Sequence, residues 1–190
     1  MKKSIALVMM AVLLVAASVM GTLAYLTSTD TVKNTFTVGK VAITLDEADV
    51  DVYGAPIENA ARVRANEYKL IPGHEYTKDP TVHFAAGSEA SWLFVKVENG
   101  IAAIEADTTI ADQITTNGWA ALTGVDGVYY KQVGANNTAA AIDYPVFGTF
   151  KLDGEADVSN YENAEVKVTA YAIQADGFTT PDAAWAKFSN

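Results

Sequence analysis

The 190-residue chain has no cysteine. Disulfide frameworks, thiol nucleophiles, thiolate metal sites and a lipidated N-terminal cysteine are thereby excluded. Its two histidines leave little imidazole for acid–base or zinc chemistry. Positive charge is scarce as well: 13 Lys and Arg stand against 23 Asp and Glu, for a net charge of −10. Such a surface repels polyphosphate, so nucleic acid and anionic membrane surfaces are not expected partners. There is no glycine-rich phosphate loop and no Gly-x-Ser-x-Gly elbow; Ser88, Ser91, Ser159 and Ser189 carry no local signature of a nucleophile. Apolar material is plentiful, at 50% of residues, which at this length supports one sizeable core.

The N-terminus reads as a secretory signal-peptide helix over residues 1–24. Lys2 and Lys3 precede an uncharged run from Ile5 to Met20, and Thr22-Leu23-Ala24 places small residues at −3 and −1 of a cut between Ala24 and Tyr25. Cleavage leaves residues 25–190 as a single domain with 11 basic against 23 acidic residues, a charge of −12. A retained anchor is the alternative, because the apolar stretch counted through Leu26 approaches the roughly 20 residues a spanning helix needs. An acidic, cysteine-free exported domain suits the outside of a single-membrane bacterium, secreted into the extracellular matrix or held at the cell surface.

Period-two alternation dominates the rest and predicts a mainly β fold. Expected strands cover Phe36–Leu45, Glu67–Ile71, Thr81–Ala85, Ser91–Glu98, Gly127–Val133, Tyr144–Leu152 and Glu165–Gln174. Gly39 would mark a bulge or bend in the first. In Ser91–Glu98, Leu93, Val95 and Val97 point one way, while Trp92, Phe94 and Lys96 point the other. Turn signals lie between the strands at Pro72-Gly73, Asn99-Gly100, Asp126-Gly127, Asn136-Asn137 and Asp153-Gly154. Seven or so short strands predict a β-sandwich with a jelly-roll-like or Greek-key path. Only two short helices are expected. One covers Thr109–Thr116 behind a Thr109-x-x-Asp112 capping box, and the other begins at Thr180-Pro181, with Trp185 and Phe188 on one side. Asp46–Asp51 reads as a solvated acidic loop.

Chemistry is thin in this pattern. His74-Glu75 opens a zincin motif, but position 78 is Lys78 where a second histidine is needed. His83 meets His74 only by a hairpin around Asp79-Pro80, with no third ligand evident. Asp153, Glu155 and Asp157 have calcium-loop spacing, yet Val158 replaces the required glycine and Ala164 the final glutamate. No catalytic residue, metal ligand or cofactor is therefore assigned. Trp92, Trp119, Tyr129, Tyr130, Phe147, Phe150 and Tyr171 are expected to fill or flank the core, with a carbohydrate-stacking face as the alternative.

Three segments together resemble the TasA/camelysin family of exported Firmicutes proteins. Gly21-Thr22-Leu23-Ala24-Tyr25-Leu26-Thr27 is similar to the signals cut by that family's SipW-type signal peptidase. Asn34 to Leu45, with Thr35-Phe36 and Gly39 before alternating apolar residues, resembles its first strand. Leu70-Ile71-Pro72-Gly73-His74-Glu75-Tyr76-Thr77-Lys78-Asp79 resembles its Pro-Gly turn and following strand. The resemblance is specific over residues 18–97 and general beyond. It implies a secreted jelly-roll-like structural protein that self-associates into biofilm matrix fibres, with a possible matrix accessory protein, or that decorates the cell surface. A camelysin-like metallo-endopeptidase or an adhesin is the alternative, but no zinc motif is present to carry peptidase residues. Directly after the cut, Tyr25, Leu26, Thr27, Ser28, Thr29, Asp30, Thr31 and Val32 alternate without glycine or proline. This stretch is expected to be an exposed N-terminal strand that adds to an open sheet edge of the next molecule, the alternative being a frayed end. Lys96 and Lys167, inside the two most apolar strands, read as guards against uncontrolled edge pairing.

Overall fold

Among the described residues apolar alternation builds nine strands, every pairing between them antiparallel. The computed structural model describes Met9, Met10 and residues 38–188. The two methionines are helical. The expected cleavage site at Ala24 and Tyr25, and the expected strand Tyr25–Val32, lie outside the described residues. A compact unit runs from Val38 to Asn190. In chain order its strands are β1 (Ile43–Asp46), β2 (Glu75–Thr77), β3 (Thr81–Phe84), β4 (Ser91–Asn99), β5 (Ala120–Ala121), β6 (Val128–Val133), β7 (Ile142–Pro145), β8 (Thr149–Lys151) and β9 (Val166–Gln174). They form three sheets ordered β1-β3-β7, β2-β8 and β5-β6-β4-β9. The fold is mainly β, a sandwich in which sequence-distant strands are neighbours.

β4 is the central element because both its faces are apolar. Leu93, Val95 and Val97 join Val82, Phe84, Tyr76, Phe147, Phe150 and Trp119 in the main core between the sheets. Trp92 and Phe94, on the opposite face, form a second core with Val128, Leu122 and Ala184. The chain's own end covers that second face: α2 (Pro181–Trp185), capped by Thr180 with proline in its first turn, brings Trp185 and Phe188 within 5.3 and 6.0 Å of the Phe94 ring. The other helix, α1 (Ile110–Thr116), has the expected reciprocal capping box between Thr109 and Asp112 and buries Ile110 and Ile114.

Four expectations are corrected. Among the described residues the first strand begins at Ile43, and residues 38–42, expected within it, are bonded to a turn instead: Lys40 and Ala42 carbonyls accept from Glu89 and Ala85. Gly39 serves close packing there, since a Cβ would fall 2.8 Å from Glu89 Cγ. Residues 67–71 form no strand. Their backbone is held by a loop and a side chain, Lys69 N–H donating to Val52 O and Ile71 N–H to the Tyr76 hydroxyl at 2.7 Å. Tyr144–Leu152 is two strands in two sheets. Between them Gln113 of α1 captures the chain, its Oε1 accepting from Gly148 and Thr149 N–H while its amide donates to Thr149 O. Finally, the loop after β1 is not simply solvated: Glu47 and Val50 are buried, and Asp51 bonds its own turn at Tyr53 and Ala55.

Candidate functional site

The two large sheets each end in an edge strand on the same side of the core: β1 pairs only with β3 and β9 only with β4 among the described residues. Between these edges runs a groove of about 1370 Å³, walled by Ile43 and Leu45 on one side and Val166, Val168 and Ala170 on the other. Tyr68, Phe150 and Tyr161 also line it. Its walls show incomplete burial. On β4 the inward Leu93 and Val95 are wholly buried, whereas inward Val166, Val168 and Ala170 of β9 are only half-buried, as are Ile43 and Leu45. Among the described residues, two unpaired sheet edges therefore flank half-covered aliphatic side chains.

Polar residues line the groove as well, among them a buried ion pair. Lys78 Nζ lies 2.6 Å from Glu47 Oε2, with both side chains about nine-tenths buried. Asn66 Nδ2 donates to the second Glu47 oxygen at 2.9 Å. The Lys78 ammonium also sits 5.9 Å over the Tyr68 ring. Burial, and then the Glu47 charge, push the Tyr68 phenol upward, so it stays protonated and donates to Thr77 O at 3.0 Å.

Beside the groove, a second polar cluster fastens β1 to the rest of its sheet. Thr44, His83 and Asp143 lie in register across β1, β3 and β7. His83 Nδ1 is 2.6 Å from Asp143 Oδ1 and Nε2 is 2.9 Å from Asp46 Oδ1. A ring with a carboxylate at each nitrogen satisfies both only as the imidazolium. Burial alone would lower the His83 pKa, but its bonds to Asp46 and Asp143 outweigh it and raise it. Burial likewise pushes the Asp46 carboxyl upward, yet His83 and Arg62 hold it below the usual range. Arg62 bonds Asp46 through Nε and Asp79 at 2.9 Å, tying the loop before residue 63 to the turn before β3.

The sequence-based chemistry fares differently at each place. His74 and His83 do not meet: His74 Nε2 is 2.8 Å from Tyr53 O, its ring edge-on to Tyr76. His83 is a half-buried cross-strand tether rather than an exposed strand histidine. Asp153 and Asp157 each accept a bond from the backbone two residues on, at Glu155 and Ser159, and form no shared cage. No group of three or more His, Asp or Glu side chains able to hold a metal occurs among the described residues. Of the aromatics, Trp92, Trp119, Phe147 and Phe150 are buried, while Tyr129, Tyr130 and Tyr171 are half-buried against the two cores. Sequence reasoning missed the groove and the Glu47–Lys78 pair. The partners lie 31 residues apart, Glu47 within the acidic run Asp46–Asp51, and no local pattern joins them.

No family model, no curated protein and no solved structure matches this chain.

Proposed function

We propose that this chain is a secreted structural subunit of an extracellular matrix fibre, TasA-like in kind, rather than an enzyme. Subunits join when the N-terminal segment of one copy enters the groove of the next. The observation that supports this most is the groove itself, which has an open sheet edge on each wall and inward aliphatic side chains that nothing described covers. An added strand would hydrogen-bond to β1 or β9 and bury those side chains, which favours association by the same ladder and burial forces that build the sandwich. Because the donated segment and the groove lie on different parts of one chain, the contact is head-to-tail and propagates without closing. The supporting sequence features are the signal-like N-terminus, the alternation of Tyr25–Val32 and the resemblance over residues 18–97. Export and processing by a SipW-type signal peptidase would free the donor segment. Lys167, exposed on β9, fits a guard against pairing with strangers.

Electron microscopy of the chain beginning at Tyr25, beside a version beginning at Lys33, tests the proposal. Fibres from the first and folded monomers with unchanged far-UV circular dichroism from the second are expected. Equal fibres from both would remove the N-terminal segment as connector.

A further inference from the structure

The floor of the groove holds a cation that aliphatic strand packing does not use. Lys78 is 9% exposed and lines the groove. An ammonium carries three protons. Glu47 accepts one, and beyond the Tyr68 ring face no other acceptor meets it among the described residues. Arg64 lines the same groove, exposed, with no ion pair or hydrogen bond among the described residues. The groove's acids do not supply a further partner: Asp46 is taken by Arg62 and His83, and Glu67, Glu162 and Glu165 are exposed. Burying an ion pair in an apolar wall is a costly way to stabilise a fold, and the best-attested use of such groups is to fix register.

We infer that Lys78, assisted by Arg64, sets the register of assembly by receiving a carboxylate carried between apolar residues on an extended segment of a second copy of this chain. The inference rests on the fibre reading above. Within this chain Leu26, Ser28, Asp30 and Val32 would share one face when extended, an acid flanked by apolar ends. Leu26 and Val32 match the aliphatic walls at Ile43, Leu45, Val166 and Val168. Asp30 then joins Glu47 as the second carboxylate next to Lys78 and Arg64, while Glu67, Glu162 and Glu165 of the groove are exposed to solvent. A one-residue slip turns Thr27, Thr29 and Thr31 toward the floor and gives Lys78 hydroxyls only. A two-residue slip preserves the face but moves the carboxylate off Lys78 and into the aliphatic wall. Hydrophobic contact alone separates those registers poorly, whereas a buried charge separates them sharply.

The test uses a fluorescent peptide of residues 25–32 and the full secreted chain held below its assembly concentration, with binding read by anisotropy. The native peptide is expected to bind, and an Asp30→Asn peptide to bind about tenfold to a hundredfold more weakly. That difference should vanish against Lys78→Gln and shrink against Arg64→Gln, whose exposed position leaves folding untouched. Native and Asp30→Asn peptides of equal affinity overturn the inference and leave the groove contact standing. A native peptide that neither binds nor slows fibre growth overturns both.

Discussion

The two faces of β4 are closed in different ways. On the Trp92 and Phe94 face, the chain supplies its own cover, and the last described residues, with Trp185 and Phe188, complete an aromatic core. On the Leu93 and Val95 face, the core is dense beneath β4 but thins toward β9 and β1, where inward side chains stay half-buried along the groove. Among the described residues, one face is covered within the molecule and the other only up to two open edges. The comparison locates the surface where a second chain adds most, because burial still to be made lies on one side only.

Truncation should separate the faces most strongly. Phe94→Ala, in the closed core, is expected to lower unfolding free energy by ~3–5 kcal/mol in urea titrations, while Val168→Ala in the groove wall should cost less than ~1 kcal/mol in the monomer. The second variant should weaken fibres despite its small effect on the monomer. Equal losses at the two sites would break the comparison.

A somewhat smaller effect is expected at the ion pair. Lys78→Met leaves the Glu47 carboxylate buried without its cation and should cost ~3 kcal/mol, whereas the double change Glu47→Leu with Lys78→Met should recover most of that loss. Denaturation midpoints of both proteins decide this. Recovery of stability without recovery of assembly would sharpen the distinction between holding the fold and guiding a partner.

Smaller again is the pH dependence of the β1 tether. The His83 pKa is raised on folding, so the stabilisation is fully present below the unfolded value near 6.5 and is lost as pH rises through the higher folded value. Asp46 has the opposite sense: its lowered pKa gives stability that is present above the ordinary carboxyl value of 3.8 and is lost as pH falls through the lower folded value. Between these limits neither His83 nor Asp46 changes stability, and His83→Gln should remove the alkaline limb selectively. Thermal melts across pH 3 to 9, with the imidazole titration followed by NMR, read both limbs (the range being roughly that of the reference pKa values). An unchanged alkaline limb in His83→Gln would remove His83 as its source.

The smallest expected effect is that of metal removal. Dialysis against chelator should leave the melting temperature of the chain beginning at Tyr25 where it was, as should added zinc. Stoichiometric zinc with chelator-sensitive proteolysis would instead support a peptidase.

Local rules carried much of this fold. The Thr109 and Asp112 capping box, the Thr180-Pro181 start and the two-sided alternation of Ser91–Asn99 are all set by near neighbours, and each is found in place. Failures came where a distant side chain takes over the backbone. Gln113 divides the expected Tyr144–Leu152 strand, and the Tyr76 hydroxyl holds residues 67–71 out of any ladder. The groove was illegible for a related reason: alternation tells which residues face inward, but not which strand lacks a neighbour. Glu47 read as part of a solvated acidic run because its partner, Lys78, arrives from beyond β2.

Hydrogen exchange along β9 tests the central claim most directly. In an antiparallel pair every second amide of Val166–Gln174 points away from β4, and within Val166–Ala170 these lie on the strand that walls the groove. The account predicts that these outward amides exchange freely in the monomer and become at least about tenfold slower in assembled fibres or with the 25–32 peptide bound, while the β4-facing amides change little. Outward amides that exchange alike in monomer, peptide complex and fibre would contradict it.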